Sequence, residues 1–191
     1  MNRRDKLAIG LAVIFEVISI ISAINSFLTK NRRTMLLSIL AIVCFTIPFI
    51  ISAGANKKKI KLPHGFNVEG TLFIFGTQYL GEVQGFYLKY WWWDLLMHGS
   101  FGILTVIILL NINQGIIKKG PHVTEKRYKF LNKIYALSLS IALGTLWEIF
   151  EYAGDVFFKT NMVKGGLEDT ITDILIHIIA ALITVIFYRT N

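Results

Sequence analysis

Long apolar runs separated by short, polar and mostly basic segments set the pattern of this chain. Six runs, at about 7–28, 34–55, 67–84, 92–113, 131–157 and 169–188, are each close to the roughly 20 residues an α-helix needs to cross hydrocarbon. The run 67–84 differs from the others. It carries Glu69, Gln78 and Glu82 together with Gly70, Gly76 and Gly81, and reads either as a full span or as a re-entrant segment buried in protein. The polar stretches at about 56–65 and 118–129 are too short to fold alone. The pattern predicts an all-α, polytopic membrane helix bundle of about six spans, forming a single transmembrane domain over 1–191. The N-terminal Met-Asn-Arg-Arg-Asp-Lys and its apolar run have the outline of a signal peptide. The run is long, contains Glu16 and lacks a small-x-small cleavage site, so a first membrane helix is expected instead.

The distribution of basic residues orients the spans, because lysine and arginine accumulate in cytoplasmic loops. With six spans and the N-terminus inside, the inner segments hold Arg3, Arg4, Lys6, the cluster Lys57 to Lys61, six residues between Lys118 and Lys133, and Arg189. The outer segments hold Lys30, Arg32, Arg33, Lys89, Lys159 and Lys164, fewer than half as many. Without a crossing at 67–84 the bias vanishes. Six spans with both termini cytoplasmic are therefore expected. The composition agrees: 54% of the 191 residues are hydrophobic, with a net charge of +8 carried in loops. That suits contact with anionic lipid headgroups and gives no basic soluble face for nucleic acid. The single cysteine, Cys44, sits inside an apolar run, so neither a disulfide framework nor a cysteine metal motif is present.

Three polar stretches interrupt the last three runs: Asp94-x3-His98, Glu148-x2-Glu151-x3-Asp155, and Asp169-x3-Asp173-x3-His177. Ionisable groups inside a span are costly and by default mark a functional site. At about 100° and 1.5 Å per residue, each stretch forms a narrow stripe on one helix face. The predicted topology brings all three to the outer half of the membrane, beside Glu82 and below the aromatic segment Phe86, Tyr87, Tyr90 and Trp91 to Trp93. A layered site is expected, with Asp94, Asp155 and Asp169 outermost, His98, Glu151 and Asp173 a turn deeper, and Glu148 and His177 deepest.

So many carboxylates in one dry pocket repel unless some are protonated or a cation lies among them. Mixed Asp/Glu/His donors suit Zn²⁺, Mn²⁺ or Fe²⁺ better than Mg²⁺ or Ca²⁺. The expected metal ligands are His98, Glu148, Glu151, Asp173 and His177, with Asp94 and Asp169 left for acid–base catalysis. The bland alternatives are packing roles for the histidines, and solvated-end or capping roles for Asp155 and Asp169, the latter following Gly165-Gly166 at a helix start. Glu168, His64 and His122 are expected to be solvated, and Glu16 has no predicted partner.

The order Trp-Trp-Trp-Asp94-x3-His98, Trp147-Glu148-x2-Glu151, Asp169-Thr170-x2-Asp173 resembles the YjdF-like family of bacterial integral membrane proteins and, more distantly, VanZ-like membrane proteins. The resemblance covers roughly 62–188 and does not extend to His177. It implies a bacterial plasma-membrane protein with a polar intramembrane site and no particular reaction. Three functions are compatible with the residues. One is a metal-dependent hydrolase or transferase acting on a lipid-linked or envelope substrate. Another is a cation- or proton-coupled carrier, which should continue its polar residues to the inner face, where Ile103–Leu110 and Ile178–Phe187 look apolar. The last is a non-catalytic membrane component.

Overall fold

The computed structural model describes residues 3–160, 162–163 and 165–188. Arg189 and Lys164, used above to orient the spans, lie outside the described residues. Every regular element among the described residues is helical. The chain divides into two compact units, Met1–Trp93 and Asp94–Asn191. Among the described residues, five helical stretches are long and apolar enough to cross a membrane: Arg3–Leu28, Arg32–Lys57, Trp91–Gln114, Glu125–Phe157 and Leu167–Phe187. The protein is a multi-pass membrane protein that contacts membrane lipid.

In the first unit, α1 (Arg3–Leu28) packs along α2 (Arg32–Phe45), which Asn31 caps by accepting from the Thr34 N–H at 3.2 Å. The second span breaks between α2 and α3 (Ile47–Lys57) at Thr46, two residues before Pro48. Proline has no N–H to donate and its ring crowds the carbonyl four residues back. The expected run 67–84 is helical up to Val83, as α4 (Phe66–Ile74) followed by a π-helical segment, Phe75–Val83, and is not among the five candidate spans. Its wide turns stack Phe75 on Phe15 with centroids 3.8 Å apart and place Tyr79 in the same cluster. The Tyr79 hydroxyl accepts from Gln84 and bonds Ser22 on α1. At Gly81 a Cβ would lie 2.2 Å from the Tyr87 ring of the short helix α5 (Phe86–Lys89), so the π segment and α5 meet only because this residue has no side chain.

The second unit consists of α6 (Trp91–Ile116) from Asp94 onward, α7 (Glu125–Phe158) and α8 (Leu167–Phe187). Thr124 caps α7 by accepting from the Arg127 N–H. The helix thus begins one to two turns ahead of the apolar run from which it was expected, because capping and helix-forming charged residues extend it into the loop. Its buried positions recur every four residues: Asn132, Ala136, Ser140, Gly144 and Glu148. On α8 they are Asp173, His177 and Ala181. Large apolar side chains such as Ile179, Ile183 and Ile186 point outward instead. Small and polar inside with large and apolar outside is the inverse of a soluble bundle, and is what lipid as the outer solvent demands.

Small residues set how closely these helices approach. A Cβ on Gly102 of α6 would lie 2.6 Å from the His177 carbonyl oxygen on α8, and one on Gly144 of α7 would lie 2.9 Å from the His177 ring. Three non-glycine residues have positive φ among the described residues, and all are lysines ending helices: Lys30 (58°), Lys59 (55°) and Lys159 (53°).

Candidate functional site

His98 is the centre of the site. It lies one turn into the buried part of α6, on the face turned towards α7 and α8, and is 6% exposed. Its Nε2 is 3.4 Å from Asp94 Oδ1 and 3.9 Å from Asp173 Oδ2. Its Nδ1 is 3.4 Å from Glu148 Oε1. One buried imidazole therefore has carboxylates on both sides. Among the described residues, two groups of side chains come close enough to hold a metal ion together, Asp94–His98–Asp173 and His98–Glu148–Glu151, with ligand atoms within 4.8 Å of one another. The expected layers are compressed, since His98 reaches both Asp94, predicted above it, and Glu148, predicted below.

The carboxylates are poorly satisfied. Glu148 Oε1 and Asp173 Oδ1 are buried without a hydrogen-bond partner. Glu151 accepts from the Trp147 indole N–H at 2.8 Å, one turn back on α7. No lysine or arginine occurs on α6 or α8, or on α7 beyond Lys133. Four carboxylates thus surround one imidazole with no basic side chain from these helix segments to offset them. An uncompensated charge in this setting costs on the order of several kcal/mol, so protons or a bound cation must balance it.

His177 joins neither ligand group. Its Nε2–H donates to the Ser140 carbonyl at 2.9 Å and lies 3.1 Å from Ser140 Oγ. Ser140 Oγ is 2.6 Å from Thr105 Oγ1, which donates to the Phe101 carbonyl at 2.8 Å. Because a carbonyl only accepts, Nε2 carries a proton in this bond, and the ring also meets the His98 backbone. Thr105 and Ser140 also correct the picture of an apolar lower half. Polar groups continue about two turns below His98, and only then does a dry layer of Val106, Leu110, Ala136 and Ala181 close the bundle. Asn113 and Asn132 are buried farther along.

Asp155 is a loop staple. Its Oδ1 accepts from the Thr160 hydroxyl and the Met162 N–H, both at 2.6 Å, and its Oδ2 from the Val163 N–H at 2.9 Å. These bonds fold the chain after α7 back over Gly154, where a Cβ would meet Thr160 at 3.0 Å. Removing a carboxylate that accepts two backbone N–H groups costs about 2 kcal/mol. Asp155→Ala is expected to lower thermal stability in detergent by that amount, measured by thermal unfolding.

Asp169, half-buried in the first turn of α8, is outside both ligand groups. Glu168, His64 and His122 are exposed, and Glu16 is half-buried on α1 in the first unit. Sequence reasoning missed Ser140, Thr105, Gly102 and Gly144, and quoted Trp147 without foreseeing its bond to Glu151. Stepping on in fours along each acidic stripe would have found most of them: Glu148, Gly144, Ser140 on α7 and Asp94, His98, Gly102 on α6.

With this geometry in hand, the comparisons with known proteins are specific. A family described as "Predicted membrane protein (DUF2238)" matches residues 7–191. The chain belongs to this DUF2238 family. The match takes in all five candidate spans nearly whole and every residue of the His98 cluster. A protein of Thermotoga maritima described as "Uncharacterized protein" is 30% identical over 104 residues, which is 53% of this chain and 50% of that protein. The chain thus spans about half the length of the relative it matches. No solved structure matches it.

Proposed function

We propose that this DUF2238 protein binds a divalent transition-metal cation through His98, Asp94 and Asp173, in the outer half of a bacterial plasma membrane that it crosses six times with both termini cytoplasmic. The observation that carries the reading is the buried His98 imidazole with unneutralised carboxylates facing both ring nitrogens. Ligands about 2.1 Å from a tetrahedral ion lie about 3.4 Å from one another. The 3.4 Å between His98 Nε2 and Asp94 fits that spacing, and Asp173 at 3.9 Å needs a small shift. On the other ring nitrogen, Glu148 is placed to accept the Nδ1 proton. A carboxylate in that position fixes the ring and raises its basicity towards a metal. The imidazole favours Zn²⁺, Mn²⁺ or Fe²⁺ over Mg²⁺ or Ca²⁺.

In this reading Asp94 is a ligand, Glu148 and Glu151 are supporting carboxylates, and His177 is a packing residue that holds α8 against α7. The expected enzymatic use is metal-dependent hydrolysis or transfer on a lipid-linked or envelope substrate. The cation would polarise a phosphoryl or acyl oxygen, and Asp169, one turn nearer the start of α8, would serve as base. The resemblance to YjdF-like proteins belongs to this proposal; the VanZ-like one adds nothing to it. A carrier gains some support from the Thr105–Ser140–His177 chain, but the dry layer beneath it opposes continuous passage.

The test is metal content after loading with Zn²⁺ or Mn²⁺ and exhaustive dialysis. Wild type should retain the ion near stoichiometry. Asp94→Asn and Asp173→Asn should weaken binding by at least about tenfold, and Glu151→Gln should change it far less. A wild type that retains no more metal than the dialysis buffer ends the proposal. A larger loss in Glu151→Gln than in Asp94→Asn moves the ion to the Nδ1 side of the ring.

A further inference from the structure

A second polar feature lies in the first unit. A cleft of about 610 Å³ opens where the start of α1, the end of α3 and the turn into α4 meet. Arg4, Lys59 and Lys61 line it with the Asp5 carboxylate, and Glu69 lies beside Arg4. Leu62 and Phe66, both half-buried, add apolar wall. We propose that this cleft binds the phosphodiester of an anionic phospholipid.

Position comes first. The helices that end here, α1 and α3, belong to two candidate membrane spans, so the cleft sits at the level of the headgroups whichever side it faces. Its form comes next. Arg4 Nη1 donates to the His64 carbonyl at 3.2 Å, which ties the start of α1 to the loop before α4. The Glu69 carboxylate also stands beside this guanidinium and offsets its charge, so Lys59 and Lys61 are the cations left for a ligand. Lys59 is held in the left-handed region at φ 55°, with the Ile60 N–H returning to the Ala55 carbonyl at 2.9 Å. The backbone thus fixes the lysine's exit direction at a position where glycine is the usual choice. A cationic rim beside an apolar wall matches a phosphate joined to acyl chains better than a free ion, which has no use for Leu62 and Phe66.

The experiment uses the full chain purified in detergent, with lipid retention read by native mass spectrometry and affinity by titration with phosphatidylglycerol or phosphatidylcholine. Lys59→Gly with Lys61→Gln removes both lysines, and the glycine suits the left-handed backbone, so folding survives. Wild type should prefer phosphatidylglycerol, and this double variant should bind it about tenfold more weakly. Lys57→Gln with Lys58→Gln removes the same charge from neighbours that do not line the cleft, and should leave affinity within about twofold. Equal weakening in both double variants would reduce the effect to diffuse charge and overturn the proposal. Equal binding of the two lipids would do the same. Competition by inorganic phosphate at matched concentration would reassign the cleft to a soluble anion.

Discussion

His98→Ala is expected to remove divalent-cation binding altogether and to cost about 3–5 kcal/mol of stability, the range for deleting one partner of a buried charged cluster. The imidazole is the only group that both candidate ligand sets share. Without it, Asp94 and Asp173 lose the nitrogen they face on one side and Glu148 loses the one it faces on the other. What is left is a set of carboxylates whose nearest compensating group has gone. Thermal unfolding of wild type and variant, each with and without chelator, separates the two contributions. Chelation should lower wild-type stability and leave the variant unchanged. A variant that still responds to chelator would place the cation elsewhere, and a variant as stable as wild type would show that the carboxylates are protonated and need no partner.

Gly102→Leu is expected to be the most damaging change that touches no ionisable group, at about 3 kcal/mol, the upper end of ordinary overpacking. Even a Cβ at this position would lie 2.6 Å from the His177 carbonyl, and the obstacle is backbone that cannot rotate away. The only relief is for α8 to move off α6. That movement carries Asp173 away from His98 and stretches the His177 bond to Ser140. Loss of stability should therefore come with loss of metal affinity, although residue 102 donates no ligand. The matched control is Gly10→Leu on α1, where a Cβ meets nothing within 4 Å. Equal effects at the two glycines, by thermal unfolding and metal titration, would rule out the close approach as the cause.

Much of the membrane architecture was legible because it depends on length and apolarity alone. The five long spans follow from long apolar runs, and their ends differ from expectation by a turn or two at most, chiefly at the start of α7, where Thr124 caps ahead of the apolar segment. The 67–84 segment was legible as an anomaly only. Its glycines and glutamates flagged it, but a π-helix follows from the packing of Phe75, Tyr79 and Gly81 against other elements, which no local pattern encodes. In the site, helix periodicity was enough to put Asp94 with His98 and Asp173 with His177 on single faces. It could not tell which of two histidines would meet the carboxylates. That is decided by Gly144 and Gly102, which let His177 sink against α7 until Ser140 takes its Nε2 proton. Asp155 shows the same limit. Its stripe matched the site, but the Thr160 hydroxyl and two backbone N–H groups claimed it first.

The three left-handed lysines have a consequence for how the molecule sits in its solvent. Each stands where glycine would relieve strain of about 1 kcal/mol, and each closes the carboxyl end of a helix within or at the edge of a candidate span. A glycine there would stop the helix equally well. Lysine adds an ammonium that complements the helix dipole and holds to the aqueous boundary. Lys30, Lys59 and Lys159 thus act as depth marks. Each trades a little folding energy for an ammonium at the end of its helix, and Lys159 does so on the helix that carries Glu148.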